Sequence, residues 1–107
     1  MTNILMKNKD LEFEQIAQEI AIMLKKKNED YGNASFELGI KGVYVHLFDK
    51  LKRLENMVWK DNKPNYESTL DTLYDIAGYS IIGILIQRLA SEKVAEKIKF
   101  EGERLNE

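Results

Sequence analysis

Apolar residues recur along this chain at the three- and four-residue intervals of an α-helix, and nowhere alternate in the two-residue rhythm of a strand. Leu11, Phe13, Ile16, Ala17, Ile20, Ala21 and Leu24 keep that beat behind Asp10, a good N-cap, so a first helix is predicted there. Acids open it and lysines at 25, 26 and 27 close it, which complements the helix dipole. It should stop before Gly32. Residues 33–41, flanked by glycines, read as a loop or a short turn of helix, pinned to the core by Phe36, Leu38 and Ile40.

Val43, Leu47, Leu51, Leu54 and Val58 form the stripe of a second helix. His46, Asp49, Lys50 and Arg53 share the flank beside it. A turn containing Pro64, the only proline, should follow over residues 60–65. Ser68 with Asp71 makes a capping-box-like start to a third helix, whose Leu70, Leu73, Ala77, Ile81, Ile84 and Leu85 should face the core. Gly78 and Gly83 lie inside this helix, and close helix approach would compensate their low propensity. Val94, Ala95, Ile98 and Leu105 continue the pattern, either as a separate last helix or as an extension of the third. The expected architecture is all-α: an antiparallel bundle of about four helices over residues 10–107 behind a loose arm at 1–9.

At 107 residues this is a single-domain length, enough for one modest core, and a sizeable site would need a second subunit to wall it. A homo-oligomer is therefore expected. The chain has no cysteine, which excludes disulfides and thiolate metal sites and fits a cytoplasmic setting. The start lacks the apolar run of a secretory signal. The uncharged run at 76–86 is too short by itself to span a bilayer, so no membrane partner is expected. A net charge of −2 argues against general nucleic-acid binding. The lysines at 25–27 read as a solvated face, while Lys50, Lys52 and Arg53 form a cluster suited to one small polyanion.

The chemistry concentrates where acids meet the apolar run. Glu67, Asp71 and Asp75 step along one helix face. Glu67 and Asp71 fall where negative charge suits a helix start, but Asp75 borders the buried stretch and requires a cationic partner. That partner is either Arg53, Lys50 or His46 in a structural pair, or a divalent cation. For the cation, Asp71 and Asp75 would be ligands with Asp49 from the facing helix, and oxygen donors favour magnesium or manganese. Lys50, Lys52 or Arg53 would then meet a substrate phosphate. His46, the only histidine, is not part of any catalytic triad pattern, and Trp59, Tyr66 and Tyr74 could stack on a base.

Three blocks, KNEDYGN (27–33), HLFDKLKRLENM (46–57) and ESTLDTLYDIAGYSII (67–82), resemble the nucleotide modification associated domain 1 family, small proteins common in phages and prophages. That family is in turn similar to the all-α nucleoside triphosphate pyrophosphohydrolases of the MazG type, oligomers that use magnesium on acidic helices. In the second acidic motif of those enzymes Asp71 and Asp75 match the first and last acids, and Thr72 stands where a Glu belongs. Their other motif has only Asp49 as a counterpart, with Lys50 and Arg53 at acidic positions.

The resemblance implies a magnesium-dependent pyrophosphohydrolase acting on a nucleoside polyphosphate. Asp49 and Asp75 would be catalytic, Asp71, Asp75 and Glu67 would hold metal, and Lys50, Arg53, His46, Asp30 and Tyr31 would bind substrate. The swapped charges equally suit a protein that sequesters a nucleotide without cutting it, for example a host antiviral signal. A third reading is a purely structural helical domain.

Overall fold

The computed structural model describes residues 9–31, 34–60 and 68–105. Residues 1–8 of the arm expected at 1–9, Gly32, Asn33, Pro64, Tyr66 and Glu67 lie outside them, as do the side chains of Tyr31 and Leu105, while Lys9 begins the first helix. Four helices follow in order: α1 (Lys9–Tyr31), α2 (Ala34–Glu37), α3 (Gly39–Val58) and α4 (Thr69–Leu105). The described chain is all-helical, and α1 ends directly before Gly32 as its sequence requires.

At two boundaries the structure selects between the expected alternatives. The stretch 33–41 is largely helical: α2, a turn at Leu38, then the first residues of α3. Gly39 takes a left-handed φ of 65°, which redirects the chain into α3 at little steric cost. Leu38 does not pin this segment to the core; it is 72% exposed and lies over Gly42, where an added Cβ would sit 2.5 Å from the Leu38 Cβ. At the other end there is no separate last helix. α4 runs unbroken through Ala90 and Ser91, because neither residue supplies a breaker.

α3 and α4 pack antiparallel. The Thr69 hydroxyl reaches Met57 Sδ at 3.8 Å, Lys50 meets Asp75, and His46 stacks on Tyr79. At the far end, a Cβ on Gly83 would lie 3.3 Å from Val43 and 3.4 Å from Ile40. α1 crosses α4 beside Gly78, where a Cβ would lie 3.1 Å from Leu24 and 3.2 Å from Met23. Both internal glycines thus mark close helix approach, which offsets their helix cost of about 1 kcal/mol each.

This register sets the start of α3 level with Ile86, so the rest of α4 projects past it for roughly 28 Å at 1.5 Å per residue. The chain is long in consequence, 66 × 34 × 27 Å, with a radius of gyration of 19.2 Å against about 13 Å for a compact chain of similar length. Its core is thin. Ile20, Val43 and Ile82 are the buried large apolar side chains among the described residues. Leu70, Leu73, Ile81, Ile84, Leu85, Leu51 and Val58, all expected to face a core, are exposed. Three helices of this length lack the opposing surface to cover one another's stripes. α4 as a whole is also long and apolar enough to cross a membrane by length and composition, which the shorter run 76–86 is not.

Candidate ligand-binding site

Three helices converge on one carboxylate. Asp75, in the second turn of α4, accepts Lys27 Nζ from α1 at 3.0 Å on Oδ1 and Lys50 Nζ from α3 at 2.9 Å on Oδ2. Its side chain is 17% exposed and that of Lys50 is 14%, while Lys27 is half exposed. Burial pushes the Asp75 carboxyl up, but hydrogen bonds and charge from Lys50 and Lys27 together outweigh it and hold the group below its ordinary value. The carboxylate is therefore ionised at neutral pH.

Beside this cluster opens a cleft of about 450 Å³. Lys25, Lys27, Lys50 and Asp75 line it together with Phe36, Tyr79, Met23, Leu24, Ile82 and Leu85. Three lysines against one acid give the wall a positive balance, and the remaining walls are apolar or aromatic. The His46 ring, exposed on α3, stacks on Tyr79 with centroids 4.6 Å apart and planes at 2°. That stack fixes an aromatic plane at the rim. Nearby, the Tyr74 hydroxyl donates to Glu19 Oε2 at 2.7 Å, tying α4 to α1; this bond, then desolvation and the Glu19 charge, raise the phenol's pKa.

The other acids have different duties. Asp71 closes a reciprocal cap: its Oδ2 accepts the Ser68 amide at 3.3 Å and the Ser68 hydroxyl at 2.8 Å, while its own amide donates to Ser68 Oγ at 3.0 Å. Asp49 is exposed and bonds Arg53 Nε at 3.2 Å one turn away on α3. Asp49 and Arg53 line a separate surface hollow with Lys52 and Lys60, away from Asp75. Thr72 is fully buried, and its hydroxyl donates to the Ser68 carbonyl at 3.0 Å. The position where the resembled enzymes carry a Glu thus points into the interior here.

Of the candidate residues, Asp75 and Lys50 come together, with His46 behind Tyr79 at the rim. Asp30 is exposed in the last turn of α1, Tyr31 ends that helix, and Glu67 lies outside the described residues. Trp59 is 84% exposed, and Tyr74 is engaged by Glu19. Among the described residues no three acidic or histidine side chains form a group that could hold a metal ion, and Glu67, one of the expected ligands, lies outside them. Lys27, expected on a solvated face, instead crosses to α4 and shares Asp75 with Lys50. Tyr79 lies outside the expected site residues, and Phe36, expected to pin residues 33–41 to the core, lines the cleft as well. Tyr79 lies one turn beyond Asp75 on the same helix, a spacing that points to it, whereas nothing local marks Lys27.

These features define a small all-α protein with a lysine-lined, aromatic-edged cleft at a three-helix junction. The profile of the nucleotide modification associated domain 1 family matches residues 27–89, more than half of the chain, and the protein belongs to that family. No curated protein and no solved structure matches it.

Proposed function

We propose that this protein binds a nucleotide in the cleft at the α1–α3–α4 junction. The observation that carries this reading is the convergence of lysines from two helices on one wall of a cleft whose other walls are apolar and aromatic. Ammonium groups suit phosphate as point charges, and Tyr79 with Phe36 offers the flat surface a base requires. The volume lies in the range of small-molecule sites. The family's description, which ties it to nucleotide modification, supports the same ligand class.

Binding without cleavage is favoured over hydrolysis by what occupies the acids. Asp75 is held by two lysines, Asp71 caps its helix, and Asp49 pairs with Arg53. The buried Thr72 replaces the acid that a pyrophosphohydrolase motif would present.

The test is thermal stabilisation by nucleoside mono-, di- and triphosphates, each with and without magnesium, followed by release of the bound ligand on denaturation. Stabilisation independent of magnesium, lost on Lys50→Met and weakened on Lys27→Met, with intact ligand recovered, is the expected result. Recovery of a monophosphate and pyrophosphate only when magnesium is present would establish the hydrolase instead. No stabilisation by any nucleotide would end the reading.

A further inference from the structure

We infer that the projecting half of α4 is one side of a two-fold, antiparallel helix pair formed with a second copy of this chain. Area is the first argument. The chain exposes 9369 Å², whereas a compact chain of 12.5 kDa exposes about 6,200 Å². The surplus, about 3,200 Å², exceeds the ~1,000–2,500 Å² that each subunit of an obligate dimer covers. Much of it is apolar and sits where no other helix of the chain reaches, as at Val94, Ile98 and Phe100.

Position supplies the second argument. Ile84, Ser91, Ile98 and Leu105 recur at seven-residue spacing, the repeat that keeps one seam of a helix facing a partner helix. Ile84 and Ser91 border a groove of about 740 Å³ between α3 and α4, floored by Val43, Leu47 and Gly83. The groove and the projecting arm therefore lie on one continuous face.

Charge then fixes the direction. Arg88 and Glu92 also border the groove, and among the described residues neither makes an ion pair. In a two-fold contact residue i faces j while j faces i. An antiparallel pair centred on Ala90 sets Arg88 of each copy against Glu92 of the other. It also lays Val94 and Ile98 of each copy over Ile84 of the other. A parallel pair would instead align Arg88 with Arg88. Ser91, the small residue of the seam at this level, allows close approach.

A lipid surface would meet the same apolar residues but suits this face less well. Gln87, Arg88 and Glu92 all lie along it, and hydrocarbon leaves such groups unsatisfied. The doubly paired Asp75 lies in the same helix, inside the stretch long enough to span.

The experiment is sedimentation velocity with light scattering on the full chain, from 1 to 100 µM or thereabouts. The wild type is expected at twice its 12.5 kDa chain mass. Ile98→Asp, on a residue already exposed in the single chain, should weaken the pair by about a hundredfold or more while helix content by circular dichroism is kept. Arg88→Glu and Glu92→Arg should each weaken it, and the double variant should restore it. A monomeric wild type, a dimer indifferent to Ile98→Asp, no rescue by the double variant, or flotation of the wild type with phosphatidylcholine–phosphatidylglycerol vesicles would each overturn the inference. Nucleotide stabilisation at the lysine cleft is a separate readout, so failure here leaves that reading standing.

Discussion

The two halves of α4 follow opposite rules. From Thr69 to about Ile86 the helix is held by chemistry specific to each turn: a reciprocal cap, a buried threonine hydroxyl, a carboxylate gripped by two lysines, and two glycines that admit neighbouring helices. Beyond that level the helix carries apolar residues just as regularly, yet none of its described residues is buried. The pattern is similar and the surroundings are not. A helical apolar stripe states which side of a helix wants covering, and says nothing about whether the same chain provides the cover. In the first half the chain's own α1 and α3 do so in part; in the second half none of the described helices does.

The largest effect that would sharpen this contrast comes from placing the same charge in each half. Thr72→Glu puts a carboxylate at a position with no solvent exposure and removes the hydroxyl bonded to Ser68. A loss of roughly 3 kcal/mol or more is expected. Ala90→Glu, on exposed helix, should cost roughly 0.5 kcal/mol or less in the folding of a single chain. Urea denaturation of both variants at low protein concentration checks it. Equal losses would mean that the first half is no better defined than the second. A stable Thr72→Glu protein that gained magnesium-dependent turnover would also revive the hydrolase reading.

Next in size is the acid limb. The Asp75 carboxyl has a folded-state pKa below its unfolded value of about 3.9, so the stability it contributes is fully present above that value. It is lost as pH falls through the lower, folded value. Thermal unfolding followed from pH 6 down to pH 2 or so should show a steeper fall in the wild type than in Asp75→Asn. At pH 6 the Asn variant should already be the less stable, because Lys50 keeps only a neutral partner at that contact. Parallel acid limbs would show that the double lysine grip contributes little.

How much of this was legible beforehand divides along the same line. The cap could be read because Ser68 and Asp71 are three residues apart, and the close approaches because glycine inside a helix needs a steric reason. The demand for a cation at Asp75 followed from its place beside an uncharged run. Which cation did not follow. Lys50 was one of three candidates, and Lys27, 48 residues away along the chain, belonged to a run that also made sense as a helix terminus. Helical spacing puts Arg53 beside both Asp49 and the flank facing α4, and the acid on its own helix is one that engages it. The continuity of α4 was left open by an apolar pattern that two separate helices would share.

The smallest effect separates those two pairings of α3. Asp49–Arg53 and Asp75–Lys50 both join an α3 cation to an aspartate, at 3.2 and 2.9 Å. Distance hardly separates them; exposure does, since Asp49 and Arg53 are each at least half exposed whereas both members of the other pair are below a fifth. Water and salt screen the first pair, so Asp49→Asn should change stability by no more than about 0.5 kcal/mol. It should also leave nucleotide stabilisation intact, because Asp49 lines a different hollow from Lys50. The measurement is a pair of thermal titrations, with and without nucleotide, at two salt concentrations. A nucleotide response that disappeared with Asp49→Asn would move the site to the outer face of α3, and the lysine cleft would then be a packing feature of the helix junction.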